Sequence, residues 1–349
     1  MVATRARRRK LHVGMAPRLK TLWTKASRNP RWMLMDSLSR FALVRNSVRS
    51  LQRRPLLSQY DLTASRLPIV NTAEFLAALK QHGYRTGLKL PADVLEKLQR
   101  FAASARCYGD ADARFGFRYA DKVVAQAQSK RVFSQATYLF LDEMQRVIDE
   151  VARDPLLALI AASYLNSAPV ITGTRLWWVF ATPEEHYNAS LTTSFFHYDK
   201  DDYSALRMFF YVTPVPDDNH GPHIVVRGSH QDKQLSQLFS LGERGDRGIL
   251  ECYGKERIET IYGEAGDGFA EDPFCFHKAT RPQVGDRLML EIKYATRNFN
   301  VFPPPDRASA RNIFVPWGKV LPARMATPVA RYSGIERRML PRSTPSPLA

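Results

Sequence analysis

Two histidine-x-aspartate pairs are the residues of this sequence whose types and spacing could bind a metal. His197 and Asp199 lie in the aromatic stretch "SFFHYDKDD", and His230 and Asp232 follow "VVRGS". On a β-strand, residues i and i+2 project to the same side, so each pair would present an imidazole and a carboxylate together. One more ligand would complete a facial triad, which suits Fe(II). The motif is short enough to occur by chance, and a hydrogen-bonded pair at a strand end is the alternative interpretation.

Residues further along the chain supply the missing parts of such a site. His277 ends the aromatic run "DPFCFH", and Arg287 opens the strand-like "RLMLEIKYA". An arginine can hold a carboxylate through two parallel charge-assisted hydrogen bonds. Arg281 is a second candidate for that role, and a surface strand position is the alternative interpretation of Arg287.

The order of these elements resembles the phytanoyl-CoA dioxygenase family of Fe(II)/2-oxoglutarate oxygenases. In that family an H-x-D is followed by a strand, an acidic-Asn-Gly-Pro loop, a strand ending in P-G-S-H, a distal histidine and an arginine about ten residues later. The corresponding residues here are His197 and Asp199, then Asn219, Gly221 and Pro222, then Arg227, Gly228, Ser229 and His230, then His277 and Arg287. The resemblance covers about residues 70–300, including the opening "HGYRTGLKLPADVLEKLQRF".

This resemblance implies a set of site residues. His197, Asp199 and His277 would be the metal ligands and the catalytic residues, and Arg287 would bind the distal carboxylate of 2-oxoglutarate. His230 falls in a loop that supplies no ligand. A hydroxyl residue common two positions after the distal histidine is replaced by Ala279, so we assign Thr280 as the second co-substrate residue. Arg227 stands where the family has proline.

The resemblance also implies the cofactors and the reaction. The cofactors would be Fe(II), 2-oxoglutarate as co-substrate, and O2, with ascorbate as a supporting reductant. We expect a hydroxylase that acts on a small organic molecule or a lipid or acyl-type substrate and releases succinate and CO2. Halogenating relatives lack the carboxylate of the triad, so Asp199 argues for hydroxylation. The alternatives are an oxygenase acting on nucleic acid and a non-catalytic binding protein on a degenerate barrel.

Several further polar residues lie near these motifs, and we predict their roles as follows. We expect Cys275 to be a core residue, and His220 and His223 to be loop residues and not ligands. Two sets would line a substrate entrance or face only water, namely Arg175 and Trp177 on "RLWWVF" and the run Lys200, Asp201, Asp202 and Tyr203.

The pattern along the chain predicts helices first and strands afterwards. Asn71 and Glu74 form a capping box with Gly83 as a stop, "ATYLFLDEMQRVIDEVA" (136–152) has helical spacing, and Asp154-Pro155 begins another helix. From residue 169 the pattern changes to short β-branched and aromatic runs. We therefore predict an α+β fold, a double-stranded β-helix (a jelly-roll or cupin-like barrel) with an N-terminal helical layer.

We predict three regions. A basic N-terminal arm occupies 1–60. A single oxygenase domain occupies 61–300, with a helical part at 61–168 and the double-stranded β-helix at 169–300. A Pro-rich tail occupies 301–349.

The net charge of +17 is concentrated in the arm. Residues 1–55 hold fifteen Lys/Arg and one acid, whereas the rest of the chain has 36 basic and 33 acidic side chains. The arm is interpreted as a solvated tail, as a peripheral contact with an anionic membrane, or as a transit peptide. The nearly neutral body argues against nucleic acid as a partner, and we expect a small-molecule substrate.

The cysteines and the apolar runs of the sequence indicate a cellular compartment. The three cysteines include no CxxC pair, which argues against a disulfide framework and fits a reducing compartment. No apolar run reaches the roughly 18 residues of a membrane span, and the start lacks a secretory signal. We predict a cytoplasmic protein, peripheral to the inner face of the membrane if the arm binds lipid. Oligomeric state is not predicted.

Overall fold

A computed structural model describes residues 29–238 and 245–299, together with positions 307 and 310. The first half of the predicted basic arm and nearly all of the predicted Pro-rich tail lie outside the described residues. None of the described helices combines the length and the apolar composition that crossing a membrane requires.

The helices fall mainly in the first half of the chain. The α-helices are α1 (Pro30–Leu38), α2 (Ala42–Ser50), α3 (Thr72–His82), α4 (Ala92–Ser104), α5 (Lys122–Ser129), α6 (Glu143–Ala152), α7 (Pro155–Leu165), α8 (Leu235–Leu238) and α9 (Asp246–Tyr253). Short 3-10 turns lie at Leu57–Gln59, Leu62–Ala64, Tyr119–Asp121, Glu184–His186, Asp218–His220 and Lys255–Arg257.

The strands form two separate antiparallel sheets. They are β1 (Tyr84–Lys89), β2 (Arg106–Gly109), β3 (Gly116–Arg118), β4 (Gln135–Thr137), β5 (Val170–Val179), β6 (Ala205–Tyr211), β7 (His223–Val226), β8 (Ile258–Ile261), β9 (Asp267–Glu271), β10 (His277–Ala279) and β11 (Arg287–Ala295). Eight of them make the large sheet in the order β1-β9-β6-β11-β5-β4-β2-β3, and the small sheet has the order β10-β7-β8.

Strand alternation gives the large sheet two different faces. One face packs on the helices, because Leu288 and Leu290 of β11 belong to the same buried cluster as Ile148 of α6 and Leu157 of α7. Met289, between those two leucines, belongs instead to the cluster that joins the two sheets. We call this second face the inner face.

The inner face is covered by the small sheet. Trp177 and Phe209 of the large sheet pack in one buried cluster with Val225 of β7 and Ile261 of β8. Tyr211 also links the two sheets, because its hydroxyl donates a hydrogen bond to the Ile261 carbonyl at 2.7 Å. Side chains of the inner face therefore lie in a narrow interior between two layers.

The predicted helix boundaries are confirmed at α3 and α7. The Asn71 side chain accepts the Glu74 N–H, and Gly83 closes α3 with φ at +80°. That left-handed conformation favours glycine, and an added Cβ would lie 2.2 Å from Cys275 Sγ. At α7, Asp154 caps the Leu156 N–H and Pro155 occupies the first turn.

The predicted helix over 136–152 is wrong in its first part. Residues Gln135–Thr137 form β4, and the helix begins only at Glu143. Ala136 pairs with Trp178 of β5, and the Tyr138 N–H donates to Leu176 O at 3.0 Å. Aromatic residues favour strands, so pairing of β4 with β5 and β2 overrides the helical spacing. Strands β1 to β3 likewise interrupt the segment predicted as helical.

The predicted mixture of helices and antiparallel strands is confirmed. The closed jelly-roll barrel stays a prediction, because the described strands form two sheets that are not joined into one closed sheet. The region boundaries near residues 60 and 300 also stay predictions.

The described part of the basic arm folds onto the body of the protein. Asp36 of α1 accepts from Lys200 at 2.6 Å, and Arg49 of α2 donates to the Ser204 hydroxyl at 3.1 Å. Arg45 is buried, its guanidinium 4.1 Å from the centre of the Phe274 ring. The interpretation as a solvated tail is therefore wrong for residues 29–50.

Candidate metal centre

The structure brings His197, Asp199 and His277 together. One ligand atom from each lies within 4.8 Å of the other two. The backbone causes this meeting, because His197 and His277 face each other in an isolated antiparallel bridge with N···O distances of 3.0 and 2.9 Å. The Asp199 N–H donates to Pro273 O at 2.8 Å and extends the pairing. The two imidazole centres are consequently 4.3 Å apart.

Both imidazoles are oriented by their Nδ1 atoms. His197 Nδ1 lies 3.0 Å from Phe195 O, and His277 Nδ1 lies 2.9 Å from Cys275 O. These carbonyls can only accept, so Nδ1 carries the proton in each ring. The Nε2 atoms face Asp199 Oδ2 at 3.8 and 3.5 Å. Two imidazole nitrogens and one carboxylate oxygen on one side are the donor set that suits Fe(II), so these residues fit that ion.

Arg207 of β6 holds the carboxylate of the cluster. Its Nη1 lies 2.7 Å from Asp199 Oδ2 and 3.2 Å from Glu291 Oε1, and its Nη2 lies 2.7 Å from Asp201 Oδ2. Burial alone would raise the pKa of Asp199, but Arg207 and the two imidazoles outweigh it and hold that pKa well below its usual range. Asp199 is therefore ionised, as a metal ligand must be, and shares its Oδ2 with Arg207.

Glu271 of β9 is a buried carboxylate between two histidines. Its Oε2 lies 2.6 Å from His223 Nε2, and its Oε1 lies 2.9 Å from His277 Nδ1. Burial alone would raise the pKa of Glu271, but His277 and His223 outweigh it and lower this pKa to about 2.

The two candidate histidine ligands differ in protonation. Burial and the nearby His277 lower the pKa of His197 to about 4, so this ring is neutral. Burial alone would lower the pKa of His277, but Glu271 and Asp199 outweigh it and raise this pKa to about 10. A metal that takes Nε2 of His277 would displace the proton there.

Arg287 is buried on the same inner face. It is 2% exposed, and parity along β11 places it on the side of Met289. Its Nε and Nη1 atoms are buried and have no hydrogen-bond partner among the described residues. Burial lowers the pKa of this guanidinium. A buried cation without a partner costs free energy unless an anion binds it, so the site fits a ligand carboxylate.

The other predicted co-substrate residues are already engaged. The Thr280 hydroxyl donates to Pro222 O at 2.7 Å, and the assignment of Thr280 to the co-substrate stays a prediction. Arg281 Nη1 donates to Thr182 O at 3.0 Å.

The second histidine-x-aspartate pair lies apart from the cluster. His230 Nε2 lies 3.2 Å from Lys80 O, and Asp232 pairs with Arg257 at 2.7 Å. Cys275 is fully buried in the inter-sheet core, with Sγ 3.6 Å from His230 Nδ1, as expected for a core residue.

The charged run after the motif makes contacts within the protein. Lys200 pairs with Asp36, and Asp201 with Arg207. Asp202 is fully buried and accepts from the N–H groups of Tyr203, Thr296 and Arg297. The side chains of Lys200, Asp201 and Asp202 thus stabilise the loop that carries Asp199.

Arg175 and Trp177 lie on the inner face of β5. Arg175 Nη2 donates to the side chains of Gln135 and Thr137 at 2.9 and 3.2 Å. Its guanidinium carbon also lies 4.6 Å from the centre of the Trp177 ring. Their contact with substrate stays a prediction.

Three ionisable residues of the site were missed from the sequence. His223, expected to be a loop residue, instead begins strand β7 and is buried. Arg207 in "ALRMFFY" is a single charge inside an apolar strand, which is a signal for a buried ion pair, whereas Glu271 ends "DGFAE" beside Asp272 and carries no such signal.

No protein-family model matches the chain. No curated protein matches it either.

Solved structures resemble the fold at low identity. EctD from S. alaskensis with bound Fe is 17% identical, and the match covers 76% of this chain and 88% of that chain at a TM-score of 0.45. The epimerase SnoN in complex with Fe3+, alpha ketoglutarate and nogalamycin RO is 15% identical over 78% of this chain and 96% of that chain, with a TM-score of 0.44. HygX from Streptomyces hygroscopicus with nickel, 2-oxoglutarate and hygromycin B bound is 12% identical over 65% and 87%, with a TM-score of 0.43. Because all three TM-scores lie below 0.5, the function is inferred from the site itself.

Proposed function

We propose that the protein is an Fe(II)/2-oxoglutarate-dependent oxygenase of the phytanoyl-CoA dioxygenase type. One juxtaposition carries this proposal. Ligand atoms of His197, Asp199 and His277 lie within 4.8 Å of one another. The buried Arg287 lies on the same inner face, and two of its nitrogens have no hydrogen-bond partner among the described residues. The three-residue cluster fits Fe(II), and Arg287 fits the distal carboxylate of 2-oxoglutarate.

The residues of the chain would divide the work between them. When bound, iron and 2-oxoglutarate would supply O2 activation coupled to decarboxylation of the keto acid. His197, Asp199 and His277 would hold the metal from one side, and Arg287 would orient the keto acid. Buried aromatic side chains, among them Trp177, Phe209 and Phe269, would exclude water from the interior. Asp199 is 31% exposed, so the cluster is open on one side to a substrate.

The test is an anaerobic titration of the protein with Fe(II) and 2-oxoglutarate, followed by absorption spectroscopy. We expect the charge-transfer band of a chelated keto acid in the wild type and its loss in His197→Ala. His220→Ala is the matched control, because His220 lies in a loop and contacts Asp217 outside the cluster. A wild type without the band, or a band that persists in His197→Ala, would exclude the assigned site.

We propose hydroxylation of a small organic molecule or a lipid or acyl-type substrate as the reaction. Asp199 supports hydroxylation, since a carboxylate keeps one coordination position from a halide. Succinate release from 2-oxoglutarate across a panel of substrates, with a gain of one oxygen atom by mass spectrometry, is the expected result. If iron-loaded protein released no succinate with any of them, the alternative of a non-catalytic binding protein would be favoured.

A peripheral membrane contact is supported by the outer side of α1. Trp32 and Met35 of this helix are buried, whereas Met33 and Leu34 are 51% and 58% exposed. The exposed Arg31 lies beside them, and the acidic Asp36 is neutralised by Lys200. Apolar side chains beside arginines suit the surface of an anionic bilayer. Such a contact would place a cytoplasmic protein at the inner face of the membrane.

Vesicle sedimentation tests this contact. We expect binding to phosphatidylcholine vesicles that contain phosphatidylglycerol, weaker binding to phosphatidylcholine alone, and loss of binding in Leu34→Glu. Val123→Glu is the control, because Val123 is 72% exposed on a different helix. Equal sedimentation of both variants would contradict a docking role for α1.

A further inference from the structure

Glu271 is the buried carboxylate that joins the two sheets at the candidate metal centre. It belongs to β9 of the large sheet, and its neighbours His223 and His277 belong to β7 and β10 of the small sheet. It is 1% exposed, and both histidines are also buried. A carboxylate in such a place is costly unless it is matched by N–H donors or cations.

The two oxygens of Glu271 are used differently. Oε2 forms a hydrogen bond with His223 Nε2 at 2.6 Å. Oε1 lies 2.9 Å from His277 Nδ1, but among the described residues no well-directed hydrogen bond reaches it, because the ring N–H is aimed at Cys275 O. Glu271 therefore acts on His277 mainly through its charge.

That charge would favour one tautomer of His277. A negative oxygen next to Nδ1 stabilises the proton on this nitrogen, so Nε2 is the nitrogen that gives up its proton and offers its lone pair to a metal. Nε2 faces Asp199 Oδ2 at 3.5 Å, on the side where the ligand atoms converge. A carboxylate behind a metal-binding imidazole also makes that imidazole a stronger donor.

We propose that Glu271 is a positioning residue of the metal centre, which fixes the orientation and tautomer of His277, and that His223 holds Glu271 in place. The inference rests on the proposed function, because it assigns a role toward the metal that His197, Asp199 and His277 would bind.

The experiment titrates metal-free, full-length protein with Co(II) and records both affinity and the visible d–d absorption spectrum. Glu271→Gln keeps the shape of the side chain and removes its charge. We expect Co(II) binding about 10- to 100-fold weaker, which is the usual cost of losing such a partner, together with a shifted spectrum. A merely structural role would lower stability without changing the ligand field of bound metal.

Asp272→Asn is the matched control. Asp272 is the next residue, is equally buried, and contacts Tyr164 and Arg49 instead of a ligand. We expect it to lower thermal stability and to leave Co(II) affinity and spectrum unchanged. His223→Gln is the second variant, for use if Glu271→Gln does not fold, and we expect a smaller loss of affinity with the same spectral shift.

The possible failures are distinct. If the wild type binds no Co(II), the proposed function fails. If the wild type binds Co(II) and Glu271→Gln binds it equally well with the same spectrum, the positioning role is excluded and the Cys275 carbonyl alone orients the ring. If only His223→Gln folds, wild-type affinity and spectrum in that variant would exclude the role in the same way.

Discussion

Arg207 and Arg287 are two buried arginines on the inner face of neighbouring strands, with opposite surroundings. Arg207 contacts three carboxylates, those of Asp199, Asp201 and Glu291. Arg287 has two buried nitrogens without any partner among the described residues. The first arginine is satisfied by the protein itself, whereas we expect a bound anion to satisfy the second. A buried polar group without a hydrogen-bond partner therefore indicates a candidate ligand site.

The largest expected effect follows from removing the satisfied arginine. Arg207→Met would remove the cation that contacts three carboxylates, and we expect a loss of about 3 kcal/mol of unfolding free energy. This is the lower end for a broken buried pair, because Asp199 and Asp201 remain 31% and 29% exposed. Urea denaturation of metal-free protein measures it. A change near zero would mean that the carboxylates do not depend on Arg207.

The unpartnered arginine should behave in the opposite way. In Arg287→Met, we expect the metal-free protein to be as stable as the wild type or more stable, because an uncompensated buried charge is removed. Binding of 2-oxoglutarate should weaken at least about 30-fold, which corresponds to about 2 kcal/mol for one partner of a buried charge pair. Urea denaturation and calorimetric titration of the Ni(II)-loaded protein give the two values. Clear destabilisation with unchanged keto-acid affinity would reverse the roles assigned to the two arginines.

An exposed arginine sets the baseline for both measurements. Arg247 of α9 pairs with Glu251 at 2.7 Å, and its side chain is 92% exposed. We expect Arg247→Met to change neither the denaturation midpoint nor the affinity for 2-oxoglutarate, because water screens a surface pair. A shift as large as that of Arg207→Met would indicate a general effect of removing arginine.

Rules of short range were enough to name the residues that the structure brings together, whose roles stay predictions. Strand alternation predicted that His197 and Asp199 project to one side. The order of motifs in the family that the sequence resembles pointed to His277 and Arg287, which the structure places between the two sheets. Capping residues such as Asn71 and Asp154 located helix starts because their hydrogen bonds are local.

The missed parts depend on which strands become neighbours. Arg207 meets Glu291 because β6 pairs with β11, and Glu271 meets two histidines because β9 faces the small sheet. Arg207 and Glu291 are 84 positions apart along the chain, and Glu271 and His223 are 48 apart, so neither contact is visible within one segment of the sequence. The wrong helix over 136–142 has the same origin, since β5 provides the pairing that spacing alone does not reveal.

The backbone bridge between His197 and His277 bears on when the metal could enter. It joins residues 80 positions apart, and the Asp199 N–H pairs with Pro273 across a similar separation. Contacts of such long range form slowly, because distant segments must first be brought together. Small zinc domains, in contrast, gain their structure from the ion. Here we expect the chain to assemble before the ion arrives, so that maturation would follow the completion of both sheets.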